Sequence, residues 1–185
     1  MLKIENTDVV GWEAAIRGMR NPMNSWEKSD SKWYSIGIPT SNPAAINDKY
    51  LSQKYCLGDN DLDLMTRLRN AGTDHRKFMR MIVVYVDITA PLYWWKEFDT
   101  YKIGTVANSC STMHKIHAKE FDVNDFSHEH VEELTGDDYN MSYDFLLRTV
   151  DILNYYRKKF LETGDKVYWW QLIQLLPSSY NQKRT

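Results

Sequence analysis

Cysteine is scarce in this chain of 185 residues: Cys56 and Cys110 are the only two. Two thiols make neither a disulfide framework nor a zinc ligand set at the usual spacing. A reducing, cytoplasmic setting is therefore the expectation. Net charge is equally sparing. Twenty-three Lys and Arg against 25 Asp and Glu leave a formal −2, so no overall field draws in long nucleic acid, and any anion site has to be a local pocket. Long apolar runs are missing too. No stretch of eighteen apolar residues occurs, so no membrane-spanning helix is expected. The first twenty residues carry acids and no apolar run, so no signal peptide is expected either.

What the chain has in quantity is aromatic surface, with seven Trp and twelve Tyr. Rings bury much area at low entropic cost and serve as core, as contact surface between chains, or as flat faces for bases. With 43% hydrophobic and 26% charged residues, the chain is expected to fold as one domain, 1–185.

Periodicity places most elements. Residues 2–5 read as a short strand. Trp12, Ala15, Ile16 and Met19 share one helical face, with Asp8 as a cap. Three of the five prolines, Pro22, Pro39 and Pro43, fall in 20–58, which reads as one long irregular segment. A helix capped by Asp59 or Asn60 runs to about Ala71 and ends at Gly72. The β-branched, apolar stretch 79–88 predicts a buried strand. Pro91 suits the first turn of a helix to Phe98, after which 103–113 reads as extended or looped. Ser127 caps a short predicted helix over 128–134. The clearest helix opens at Asn140 or Ser142 and runs to Glu162 on a stripe of Leu146, Val150, Leu153, Tyr156 and Phe160. Gly164 ends it, and Asp165 caps a last helix that Pro177 stops. The whole is an α+β domain in which helices dominate.

Few residues group for chemistry. His114 and His117 lack a third ligand, and His128 and His130 point apart on a helix, so no metal is expected. Cys110 has no base placed beside it and reads as a small packed residue. Arg76 and Arg80 belong to the basic run DHRKFMR, which is either a solvated turn or a phosphate contact. The richest stretch is DTYKIGTVANSCS, 99–111. Lys102 supplies a point charge, Gly104 permits close backbone approach, and Thr105, Asn108 and Ser111 are neutral hydrogen-bonding groups. It matches neither G-x-x-x-x-G-K-[ST] nor G-x-G-x-x-G.

From 65 to 113 the pattern resembles the flavin-dependent thymidylate synthase (ThyX) family. There, a helix ending in Gly, an apolar strand and an aromatic helix lead into Arg-His-Arg-x-x-Ser-x-Asn-Glu-x-Ser-x-Arg-Tyr. LMTRLRNAG resembles the first helix, MRMIVVYVDITAP the strand, LYWWKEF the aromatic helix, and TYKIGT falls on Arg-His-Arg-x-x-Ser. Asn108 and Ser111 echo the later Asn and Ser after a one-residue insertion, and WWQLIQLLPSS resembles the family's helix closing in Leu-Pro. The resemblance implies a homotetramer with FAD and dUMP between subunits, and reductive methylation of dUMP with methylenetetrahydrofolate and NADPH. The departures are specific. Thr100, Tyr101 and Lys102 replace Arg, His and Arg, Met113 or His114 stands for Arg-Tyr, and the family's C-terminal helix is expected to be absent. A fixed guanidinium fork gives way to one flexible ammonium. The expectation is a homo-oligomeric, nucleotide-binding relative with a degenerate motif, by analogy a phage-type nucleotide sponge. Lys102, Thr105, Asn108, Ser111, Tyr101, Arg80 and Arg76 would contact the nucleotide, and Trp94 and Trp95 would stack on its base. FAD is a possible cofactor under this resemblance, and a working, divergent thymidylate synthase is the alternative.

Overall fold

The computed structural model describes residues 2–37 and 51–185. In chain order it contains β1 (Lys3–Val10), α1 (Trp12–Arg20), β2 (Lys32–Gly37), β3 (Leu51–Cys56), α2 (Asp59–Asn70), β4 (Val83–Pro91), α3 (Leu92–Phe98), α4 (Gly136–Thr163), α5 (Lys166–Leu175) and β5 (Asn181–Arg184). Among the described residues two small sheets form, one ordered β1-β4-β5 and one pairing β2 with β3. The class is the helix-rich α+β expected. Among the described residues no helix is long and apolar enough to cross a membrane. The chain divides into two compact units, Asp8–Tyr85 and the N-terminal residues to Thr7 with Val86–Thr185.

In the Asp8–Tyr85 unit, α1 buries Ala15, Ile16 and Met19 against Leu64 of α2 and Phe78. Gly11 permits the entry to α1. Its φ of +93° suits only glycine, and a Cβ there would lie 2.2 Å from the Met81 carbonyl oxygen. The polar centre is Asp61, 0% exposed. Its carboxylate accepts from Arg20 Nε at 2.6 Å, Ser29 Oγ at 2.7 Å and Ser31 Oγ at 2.6 Å. Burial pushes this carboxyl up, but the hydrogen bonds from Ser31, Ser29 and Arg20 outweigh burial and hold it below the usual carboxylate range. Next to it, Asp30 caps α2 through the backbone N–H groups of Asn60 and Asp61.

Of the segment 20–58, the described residues 20–37 and 51–58 carry regular structure rather than the irregular chain that its composition suggests. Short 3-10 turns at Asn21–Met23 and Trp26–Lys28 lead into the antiparallel β2/β3 pair, with Trp33 opposite Tyr55. Its residues 38–50 lie outside the described residues. The predicted strand over 79–88 begins only at Val83, because His75–Met81 form a 3-10 segment that buries Phe78.

In the other unit, α4 packs Leu146, Val150 and Leu153 against Leu172 of α5 and against Ile116, Phe121 and Phe126. Asn154 brackets Phe121, accepting from its N–H at 2.8 Å and donating to its carbonyl at 2.9 Å. Gly164 closes α4 in the left-handed region, and the Asp165 side chain caps α5 through the Val167 N–H. The short helix predicted over 128–134 is instead a pair of turns, Val131 N–H to His128 O and Leu134 N–H to Val131 O. The turns spend the backbone groups of that stretch locally, and α4 starts earlier than expected, at Gly136. Strand β5 runs antiparallel to β4, with Ile88 opposite Arg184 and Pro91 opposite Asn181.

Candidate functional site

The segment 99–111 follows α3, and α3 is fixed at its start. Leu92 N–H donates to Tyr180 O and Tyr93 N–H to Ser178 O, both at 3.0 Å. Trp95 anchors the middle. It is 2% exposed, its indole N–H donates to the Gln182 carbonyl at 2.9 Å, and the Arg184 guanidinium lies 4.3 Å from its ring centre.

Arg184 then ties α3 to the strand. Its Nη1 reaches Asp99 Oδ1 at 2.7 Å and its Nε donates to Gln182 Oε1 at 2.9 Å. The other end of the segment is held by β5. Asn108 and Thr185 exchange backbone hydrogen bonds at 2.9 and 3.0 Å, and Cys110 N–H donates to Lys183 O at 2.9 Å. Gln182 Nε2 adds a bond to Cys110 O at 2.7 Å. Residues 100–107 therefore form a loop with both ends clamped to one four-residue strand.

The loop projects outward. Ile103 is 100% exposed and Val106 90%. Tyr101, Lys102 and Thr105 are exposed on it, and Asn108 is exposed at its clamped end. The Thr105 hydroxyl donates to the Tyr101 carbonyl across the turn containing Gly104, and Ser111 Oγ accepts from His114 N–H at 2.9 Å. Lys102 has no carboxylate partner among the described residues, so its ammonium is available to an anion. Trp94 stacks on Phe98 with ring centres 4.9 Å apart. It remains half-buried, so one of the two rings expected to stack on a base has accessible surface. The other, Trp95, is a core ring with its N–H and one face already engaged. Arg76 and Arg80 are exposed on the 3-10 segment His75–Met81 of the Asp8–Tyr85 unit. Arg76 Nη2 lies 3.4 Å from Thr73 Oγ1, and Arg80 does not open a buried strand.

Two groups that the sequence did not point to shape this region. One is Arg184. The other is Asp87 of β4, which accepts from Thr185 Oγ1 at 2.6 Å, Asn6 Nδ2 at 2.8 Å and Lys183 Nζ at 2.9 Å. The bonds from Thr185, Asn6 and Lys183, in that order, hold its carboxyl well below the usual range. The histidines are spent separately. His117 faces the Phe160 ring, His128 Nδ1 meets the Phe126 carbonyl and His130 pairs with Glu133. Among the described residues no three His, Cys, Asp or Glu side chains converge on a point.

No protein-family model matches the chain, and no curated protein matches it in sequence. Solved structures do match. Thymidylate synthase X from Helicobacter pylori with FAD and dUMP aligns at TM-score 0.60 and 14% identity, over 100% of this chain and 76% of that one. A second structure of that enzyme complexed with FAD and dUMP gives 0.57 and 15%, over 98% and 76%. The UMP/dUMP methylase PolB from Streptomyces cacaoi, bound with 5-Br UMP, gives 0.54 and 12%, over 100% and 70%. At these identities the likeness is one of fold: this chain has the ThyX fold.

Proposed function

We propose that the chain binds a nucleotide on the loop 100–107, at an interface between copies of itself, and that its motif is degenerate for thymidylate synthesis. The observation that carries this reading is the fold, shared with proteins solved with dUMP or 5-Br UMP. Two features of the loop support it. Lys102 presents an ammonium that no carboxylate of the described residues neutralises. Ile103 and Val106 are apolar and almost wholly exposed, as suits a surface that a second subunit covers. Lys102 takes the phosphate, Thr105, Asn108 and Ser111 hydrogen-bond to phosphate or sugar, and Tyr101 or Trp94 lies against the base. A chain that binds without turnover sequesters its ligand, which is the role of a phage-type nucleotide sponge.

The alternative is a divergent flavin-dependent thymidylate synthase, favoured by the FAD in the two Helicobacter pylori structures. The residues present do not fit that group well. One ammonium, Lys102, stands where the resemblance places Arg, His and Arg, too little charge for a diphosphate beside a nucleotide phosphate.

The test is thermal unfolding with a panel of nucleoside mono-, di- and cyclic phosphates. A ligand at a hundredfold excess over its Kd adds about 2.7 kcal/mol. Lys102→Ala is expected to reduce the shift, to about half for a tenfold loss of affinity, and a flat response across the panel overturns the reading. Flavin absorbance in the purified protein, with tritium release from labelled dUMP, would establish the alternative instead.

A further inference from the structure

We infer a second ligand site in the Asp8–Tyr85 unit, a cleft between α1 and the β2/β3 pair that takes a planar aromatic anion, a flat ring carrying a phosphate or carboxylate. It uses none of the residues of the loop 100–107.

Trp33 is the platform. It is 53% exposed, yet its orientation is fixed twice. Its indole N–H donates to Glu13 Oε2 at 3.2 Å, and its ring meets that of Tyr55, directly opposite in register, edge-on at 5.0 Å. A large exposed ring with a locked rotamer offers its surface at little entropic cost. Trp26 repeats the device. It is 49% exposed and its N–H is bound to Asn21 Oδ1 at 2.8 Å. Both indoles and Tyr55 line one cavity of about 360 Å³, within the size range of small-molecule sites.

The charge in this cavity is Arg17. It lies four residues after Glu13 on α1, the spacing at which acid and base pair on a helix. Glu13 instead holds Trp33, and Arg17 has no carboxylate partner among the described residues. Arg20 also lines the cavity but is bound to the buried Asp61, and Lys32 adds a second cation at the rim. A neighbouring cavity of about 610 Å³ shares Glu13, Arg17, Trp33 and Tyr55. It gives space for the rest of a larger ligand, but there Asp8 offsets Lys54, whereas the smaller cavity has Lys32 and no acid beyond the shared Glu13, so the anionic group belongs on the smaller side. A ring over Trp33 with its anion on Arg17 is the arrangement these side chains accommodate.

The seven Trp give resolvable indole N–H signals by NMR, and Trp33→Phe assigns that of Trp33. Four probes separate the contributions: adenosine 5′-monophosphate, indole-3-carboxylate, adenosine and inorganic phosphate. Saturable shifts of the Trp33 signal are expected with the first two. Adenosine or phosphate alone should bind at least about tenfold more weakly, because each lacks one of the two contacts. Arg17→Gln keeps a good helix former at an exposed position and should weaken both ring anions about tenfold or more. Lys102→Ala should leave this binding unchanged. No shift at Trp33 with either ring anion, or unchanged affinity in Arg17→Gln, overturns the site. Response to one ring anion but not the other keeps the site and identifies which anionic group it takes.

Discussion

Arg184→Ala removes three contacts that hold α3, the loop 100–107 and β5 in one frame. The guanidinium over the buried Trp95 ring contributes up to about 2 kcal/mol. Its hydrogen bond to Gln182, itself buried, adds about 0.5–1.5 kcal/mol. The pair with Asp99, whose side chain is half exposed, adds at most about 1 kcal/mol. Because the three share one side chain they overlap, and the expected loss is about 2–4 kcal/mol. For a chain of this length that lowers Tm by roughly 5–15 °C. Urea unfolding followed by circular dichroism measures it, and fluorescence of the Trp-rich chain gives a second probe. Arg184→Lys restores charge but neither the planar stack nor the fork, so it should recover less than half of the loss. Arg184→Met restores bulk alone. A loss within about 0.5 kcal/mol for Arg184→Ala, the range of an ordinary surface substitution, would refute the view of Arg184 as the clamp. Full rescue by lysine would refute the argument from stacking.

Three further outcomes are expected. Lys102→Ala should weaken nucleotide binding about tenfold or more, the loss of one charged contact, while leaving the denaturant midpoint unchanged; isothermal titration of a nucleoside monophosphate checks it. Because the folded-state pKa of Asp87 lies below its unfolded value of about 3.9, its stabilisation is complete above that value and is lost as pH falls from there toward the folded-state pKa. Urea midpoints between about pH 6 and pH 2 should therefore fall less steeply in Asp87→Asn than in the parent. Gly11→Ala and Gly72→Ala both place alanine at positive φ, but only the first drives a Cβ into backbone, at 2.2 Å from Met81 O. Gly11→Ala should be the more destabilising, with Gly72→Ala limited to the backbone cost of about 1–3 kcal/mol; chemical denaturation of the pair measures the difference.

The helices were legible because their signals are local. The stripe Leu146, Val150 and Leu153 is the buried face of α4, Gly164 is its left-handed stop, and Asp165 caps α5. Strand β5 was not legible. Asn181, Gln182, Lys183 and Arg184 carry no hydrophobic alternation, and the strand is held by ladder bonds and by ion pairs with distant Asp87 and Asp99. The pairing of β2 with β3 was hidden for a similar reason, since Lys and Ser interrupt both strands and the register sets Trp33 against Tyr55. At the candidate site, sequence collected Tyr101, Lys102, Thr105 and Asn108 on one loop, because they are neighbours in the chain. It could not find Arg184 or Asp87, whose partners lie 85 and 98 residues away. Nor could it tell that Trp94 keeps accessible surface while Trp95 is enclosed, since adjacent helical residues differ only in what packs against them.

The Asp61 carboxylate draws Arg20 from the end of α1 and Ser29 and Ser31 from the approach to β2 onto the first turn of α2. Stretches forty residues apart in sequence thus share one interior anion whose acceptor sites are filled from both sides. Opening any one of them would strand that charge away from water, so the three cannot breathe separately. In hydrogen exchange, the amides at the end of α1, around Ser31 and at the start of α2 would lose protection together, as one cooperative piece assembled from segments the chain itself keeps apart.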